Sequence, residues 1–430
     1  MKTHLLLLCF LGFCSTFTYA ENWPRYRGPN GSGVSGESGL PLSWSEKEHL
    51  KWKRDLPGPG SSSPIVWGDK VFITSYSGYG NNTGTGTLED LKRHLLCLST
   101  LDGSVIWEKT LPAPQPEDPY DGFIGEHGYA SHTPTTDGER VYAYFGKGGL
   151  VVFDLEGREL WRKNLGSRSS SRGWGTSSSP VLHGDFVIVN ANEESNTIYA
   201  FHKATGEEAW RWAADGFTSV YGTPVIASVG GRDDLVVGVT GEIWGMNPAT
   251  GKLRWFAQTR LTGNLSPSPV IAGERVIQFG GYPSTMGAAV TLGGKGDVTS
   301  TNLLWQNNQA KSYLTSPVFH EGRLYWVTDA GIACCADPAT GKLIYEERLE
   351  GSSGQGGRGK PFYASPILVD GHVLATSRTA GTFVIAAKPE FSLVRVNRIA
   401  GDETRFQGTP AVSGGHLFLR SDQAIYCIGN

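Results

Sequence analysis

Cysteine, methionine and charge are all scarce in this chain. Six cysteines and three methionines stand in 430 residues, and charged residues make up only 18%. Cys9 and Cys14 fall in an N-terminal leader. The four that remain are no disulfide scaffold, and a core this large needs none. A formal charge of −3 gives no electrostatic footprint for nucleic acid or for an anionic membrane. After residue 20 no apolar run approaches the length of a membrane span. The chain has no Gly-rich phosphate loop, nucleophile elbow or His-Glu-x-x-His, and Glu126-His127 with His132 in a loop is no metal signature. What is abundant is glycine, 58 residues, and aromatic side chains, 11%. That balance suits many short strands joined by tight turns.

Residues 1–20 read as a secretory signal. Lys2 supplies the positive start, residues 5–13 the apolar run, and Thr18-Tyr19-Ala20 a small-x-small cleavage site. A lipid anchor on Cys14 is disfavoured by the bulky Phe13 before it. The expectation is a single mature domain over residues 21–430, exported to the periplasm or beyond, soluble and not lipid-anchored.

A repeat decides the fold. A Ser/Thr-Pro pair recurs with its proline at Pro64, Pro134, Pro180, Pro224, Pro269, Pro317, Pro366 and Pro410, spaced 44–49 residues apart after a first interval of 70. Between pairs run a Gly turn, an apolar strand, a third strand, a Thr-Gly turn and an aromatic-bearing strand. Gly103 to Trp107, Gly157 to Trp161, Gly206 to Trp210, Gly251 to Trp255 and Gly341 to Tyr345 keep one spacing. Proline lacks an N–H and belongs on an edge, as strand A lining a central channel would be. Glycine gives the positive φ of hairpin turns, and a large aromatic fills the widening gap between blades. The eighth unit stops after strand C, while an orphan Trp strand at residues 50–56 precedes the first Ser-Pro. The sequence therefore predicts an all-β, eight-bladed propeller of four-stranded antiparallel blades, closed by the N-terminal strand completing the C-terminal blade. An open solenoid would leave the split unit without a reason.

Thr250-Gly251-Lys252-Leu-Arg-Trp255 and Cys335-Ala-Asp337-Pro-Ala-Thr340-Gly341-Lys342 resemble the tryptophan-docking repeat of pyrroloquinoline quinone (PQQ) dehydrogenases. The start Trp23-Pro-Arg-Tyr-Arg27-Gly28-Pro29-Asn30-Gly31 is similar to that of many bacterial PQQ-like repeat propellers, a family related to the outer-membrane assembly factor BamB and to quinoprotein dehydrogenases. The resemblance spans the mature sequence. His202 and Glu207 depart from the repeat in unit three, and unit two is one residue short. What the resemblance implies is the fold; it is not specific for a cofactor.

In this strand order the D-to-A crossings and B-to-C turns share one face. The long irregular segments, at residues 77–92, 112–128, 165–176 and 349–360, all belong to it, and such loops carry function. Tyr129, Trp174, Tyr221, Tyr313 and Phe362-Tyr363 precede Ser/Thr-Pro pairs and are expected at the channel mouth. Arg168, Arg172, Arg358, Arg378 and Arg405 lie in loops of the same face. Flat rings with guanidinium donors suit a sugar ring or a planar anionic quinone. The leading expectation is a binding or scaffolding module that presents this face to a protein or glycan, with Tyr129, Trp174, Tyr221, Tyr313, Tyr363, Arg172 and Arg378 as ligand-binding residues. No catalytic residue, metal ligand or cofactor is assigned. The alternative is a dehydrogenase using PQQ and Ca²⁺ on an alcohol or sugar, for which Asn192, Glu193, Glu194, Glu242, Asp329 and Asp422 are the oxygen-bearing candidates. Lyase or hydrolase chemistry on polysaccharide is a third possibility without a motif. Cys334-Cys335 are neighbours on a strand and point to opposite faces, which disfavours a bridge between them.

Overall fold

The computed structural model describes residues 21–430 apart from 81–84, 115, 170–171 and 353–359. The signal expected at residues 1–20 and the loop residue Arg358 lie outside the described residues. Eight antiparallel sheets stand around one axis. Blade 1 is Ile65–Trp67, Lys70–Ser77, Lys92–Ser99 and Val105–Pro112, and the next six repeat its order. Blade 8 takes Ala411–Ser413, His416–Arg420 and Ala424–Gly429 from the C-terminus and Leu50–Asp55 from the N-terminus, with Trp52 opposite Cys427. The split eighth blade is as the repeat required.

Burial lies between blades. Ile65, Phe72, Leu95 and Cys97 of blade 1 pack on Val141, Ala143, Val151 and Phe153 of blade 2, each removing apolar surface worth roughly 1.5–3 kcal/mol for a large side chain. The repeated Trp and Gly meet across five of the junctions. The Trp52 indole N–H donates to Thr100 O at 2.8 Å, Trp107 to Leu155 O at 2.8 Å and Trp161 to Lys203 O at 3.0 Å, always reaching into the next blade. The ring lies flat on the turn glycine: a Cβ on Gly103, which has φ +68°, would come within 2.5 Å of Trp52. Gly251 under Trp210 and Gly341 under Trp305 repeat the contact.

Trp255 breaks the pattern, donating instead to Asp234 of its own blade at 2.8 Å. The next unit has no Thr-Gly turn there. Its longer loop lays Gly296–Asp297 parallel to the outer strand as a fifth strand.

The four described cysteines are buried and free. Cys334 packs between blades 5 and 6 and Cys335 between blades 6 and 7, the opposite facing that alternation demands. Desolvation pushes the Cys335 thiol up to about 11 and those of Cys97 and Cys427 to about 12, so they behave as small apolar groups.

Residues 23–35 cross the channel on the face opposite the long loops. Trp23 pairs with Val66 of blade 1, Pro24 O accepts from Thr136 N, and Ser35 pairs with Leu368 of blade 7. Arg27, fully buried, reaches Pro317 O at 2.5 Å and Ser32 O at 2.9 Å. Burial lowers its guanidinium to about 10. The channel is thus floored at one end. No described helix is long and apolar enough to cross a membrane.

Candidate functional site: an aromatic cup on the channel axis

The inner strands set the site. In an extended chain alternate residues face one side, so the Ser/Thr before each proline and the residue two places earlier both turn toward the axis. The first set forms a belt. Ser63 N–H donates to Thr133 Oγ1, Thr133 to Ser179, Ser179 to Thr223, Thr223 to Ser268, Ser268 to Ser316, Ser316 to Ser365 and Ser365 to Thr409, all at 2.8–3.1 Å. The hydroxyl thus satisfies the amide that an inner edge would leave bare. Between blades 8 and 1, Arg420 does the joining: its Nη1 donates to Ser62 O, Ser62 Oγ and Thr74 O at 3.0–3.3 Å.

Above the belt lies a cup of about 180 Å³ on the loop-rich face. The upper tier of inner-strand residues, Ser61, Ser131, Ser177, Tyr221, Ser266, Leu314, Tyr363 and Gln407, lines it, with Trp174, Tyr313 and Phe123 added from the crossings and Tyr26 of the N-terminal segment below. Phe123 and Trp174 lie 4.3 Å apart and Trp174 and Tyr221 6.2 Å, so three rings form one wall. Three cations stack on the aromatics: Arg172 on Trp174 at 4.9 Å, Lys360 on Tyr313 at 4.0 Å and Arg378 on Tyr363 at 4.4 Å.

Of the expected ring of five, Trp174, Tyr221, Tyr313 and Tyr363 therefore share one cavity. Tyr129 does not. It lies 8% exposed in a separate cluster, edge-on to Tyr76 at 5.3 Å, with its hydroxyl on Asp118 O at 2.8 Å. Packed with Tyr76, Leu91, Ile124 and Ala130, it holds down the loop at residues 112–128 instead of reaching the mouth. Of the loop arginines, Arg405 is tied to Asp422 at 2.8 Å and Arg168 reaches a side chamber rather than the cup.

Sequence reading missed Glu126 and His127, which the short helix Ile124–His127 brings to the cup. Glu126 meets Arg378 at 2.8 Å. His127 bonds Ser131 Oγ at 2.5 Å and Trp174 O at 2.7 Å, and burial lowers its pKa, so it is neutral and fixes the Trp174 loop. The residues two before each Ser/Thr were the available signal, visible once the inner strand is read with period two. The irregular loop gave none for Glu126.

Beside the cup, sharing Thr176, Ser131 and His127 with it, lies the side chamber of about 40 Å³, room for a water or two. Arg93 pairs there with Glu117, and Lys147 with Asp118 at 2.8 Å. His132 and Glu194 are both buried; His132 Nδ1 has no hydrogen-bond partner among the described residues, and Glu194 lies against the Tyr144 hydroxyl. Desolvation raises Glu194 to about 7 and lowers His132 to about 3.

The oxygen-bearing candidates for a Ca²⁺–quinone centre do not converge. Asp329 is bound to Lys360 at 2.5 Å, Asp422 to Arg405, and Glu242 to the Trp244 indole at 2.5 Å, each within its own region; Glu193 takes Ser219 N–H and Asn192 Nδ2. A cup of 180 Å³ is also below the roughly 300–1,000 Å³ of sites for larger ligands. These residues do not fit a tricyclic, tricarboxylate quinone with its cation.

A family model described as outer membrane protein assembly factor BamB matches residues 52–194, 92–342 and 294–388, overlapping as a repeat should. The crystal structure of BamB from Moraxella catarrhalis superposes with a TM-score of 0.61 at 14% identity, covering 88% of this chain and 96% of that one. The computationally designed Ika8 protein gives 0.58 at 12%, covering 89% and 100%. These likenesses carry the fold alone. Tetrathionate hydrolase from Acidithiobacillus ferrooxidans is 27% identical over 300 residues, 61% of this chain and 57% of that protein, so only a little over half of that relative is spanned. Matched by the family model through most of its blades, and built of the units it describes, the chain belongs to the BamB family of PQQ-like repeat β-propellers.

Proposed function

We propose that this chain is an exported binding propeller that takes a sugar ring of a glycan ligand into the cup on its loop-rich face. The observation that carries this is the cup itself. Rings from separate blades stand around a polar floor, in a space sized for one small ring rather than a flat protein surface. Aromatic faces cover the apolar side of a sugar and the hydroxyls meet its edge. The N-terminal segment across the opposite end leaves entry from the loop face.

Titration of the mature chain with a panel of neutral and acidic oligosaccharides, followed by calorimetry, tests this. Saturable heat that Trp174→Ala abolishes supports it. Silence throughout the millimolar range, with capture of a protein partner that Trp174→Ala leaves unchanged, overturns it in favour of a protein ligand.

A second reading, hydrolysis of a small substrate held in the cup, is favoured by the buried Glu194 and His132 one wall away, a carboxyl that keeps its proton near neutrality beside a neutral imidazole. The relative whose name is tetrathionate hydrolase adds to it. Loss of tetrathionate from solution with the wild-type chain, and none with Glu194→Gln, is its test.

A further inference from the structure

Several hydroxyls lining the cup have a proton that the fold does not use. Thr133, Ser179, Thr223, Ser268 and Thr409 each line it, and each hydroxyl oxygen already receives the N–H of the preceding blade. None of these five hydroxyls donates to any described residue. A hydroxyl so engaged still has its proton to give to a ligand, along with one lone pair. The wall repeats the arrangement. The Tyr313 hydroxyl receives Asn264 Nδ2 at 2.7 Å, with Asn264 fully buried, and has no acceptor of its own among the described residues. The Tyr221 hydroxyl, buried and lining the cup, has Ser219 beside it and no acceptor in good hydrogen-bond geometry among the described residues. Burial drives its pKa upward, so it remains a donor.

Acceptors are few. Gln407 Oε1 is buried and unpartnered. The Glu126 carboxylate is engaged by Arg378 at 2.8 Å, and Asp329, behind Tyr313, by Lys360 at 2.5 Å. Arg172 is exposed over Trp174 with no carboxylate partner among the described residues. The mouth therefore presents an exposed guanidinium on a protein whose net charge is −3.

From this juxtaposition we infer that the cup is an oxyanion site, and that the sugar it selects is an acidic one whose carboxylate takes the unused O–H groups of belt and wall while Arg172 supplies the counter-charge. The inference rests on the sugar-binding reading for its carboxylate source. The donor set alone would serve equally for a free oxyanion. Neutral hydroxyls aimed at one charge in a partly enclosed cavity act as a preformed donor shell. A neutral sugar would fill the same space and leave Arg172 unmatched.

The test is calorimetric titration of the mature chain with D-glucuronate, D-glucose and inorganic sulfate at low and high salt. Glucuronate should bind at least about tenfold more tightly than glucose, and the gap should shrink as salt screens Arg172. Arg172→Gln should close most of the gap. Tyr221→Phe, which removes a hydroxyl with no acceptor in the fold, should weaken glucuronate several-fold and by a larger factor than glucose. Melting curves of both variants show that they fold. Glucose binding as tightly as glucuronate overturns the oxyanion inference and leaves the sugar reading standing. Sulfate binding with neither sugar retained keeps the oxyanion site and overturns the sugar reading. Silence with all three overturns both.

Discussion

A buried phenol whose proton has no acceptor is a costly thing to keep in a protein interior. Tyr221 has its hydroxyl on the cup wall, with Ser219 beside it and no acceptor in good geometry among the described residues. Tyr221→Phe should therefore leave the chain as stable or raise it by up to about 1 kcal/mol, read by urea unfolding; a loss of stability would mean the hydroxyl supports the fold. Trp174 makes the complementary case. It is half-buried and stacked between Phe123 and Arg172 at the mouth, so Trp174→Ala should weaken ligand binding by roughly 2 kcal/mol or more with a modest fall in melting temperature. A drop of about 3–5 kcal/mol in stability with binding intact would mark a structural plug instead.

The element that does most beyond its repeat role is the short helix Asn192–Ser195, the B-to-C turn of blade 3. It buries Glu194 against Tyr144 and beneath Gly146, and its backbone receives Arg168 N at 3.2 Å, anchoring the loop that carries Arg172 and Trp174. With Glu194 raised from 4.5 to about 7, the unfolded chain ionises first as pH climbs. Its contribution to stability falls between those values and is constant outside them. His132, lowered from 6.5 to about 3, acts in the opposite sense: stability rises from about pH 3 to 6.5, because the unfolded chain holds the extra proton. The two slopes offset each other where the windows overlap. Glu194→Gln should expose the rising slope, gaining on the wild type by about 2–3 kcal/mol between pH 4.5 and 7, measured by denaturant unfolding across that range. Parallel curves for the two proteins would show that Glu194 is ionised in the fold.

At the scale of the molecule the ring is as strong as its one non-covalent junction. Deleting residues 21–56 removes the outer strand of blade 8, the Trp52 indole on Gly103 and the segment that floors the channel. The truncated chain should aggregate or lose most of its cooperative stability; a monomer with an unchanged melting temperature would contradict closure. This architecture was legible because most units carry the same signals: proline on the inner edge, glycine in the turn, a large aromatic outside. Trp174, Tyr221, Tyr313 and Tyr363 were legible as aromatics a few residues before a Ser/Thr-Pro pair, but that signal alone did not set Tyr129 apart from them. The hydroxyl belt was in plain view as the residue before each proline, but its purpose lies in the neighbouring blade, and one unit read alone does not show it. Glu126 and the buried pair in the side chamber depend on how irregular loops fold over one another, and no period announces them.

Seven junctions of the belt are copies, each unit bringing one amide to give and one hydroxyl to receive, always in the same rotational sense. The eighth is stitched differently, by Arg420 reaching from one end of the chain to Ser62 near the other. A repeat duplicated inside the gene would therefore slot into the wheel with its fittings already matched, whereas the seam admits no such copy. The wheel's interior joints are interchangeable, and the seam is the one joint that is not.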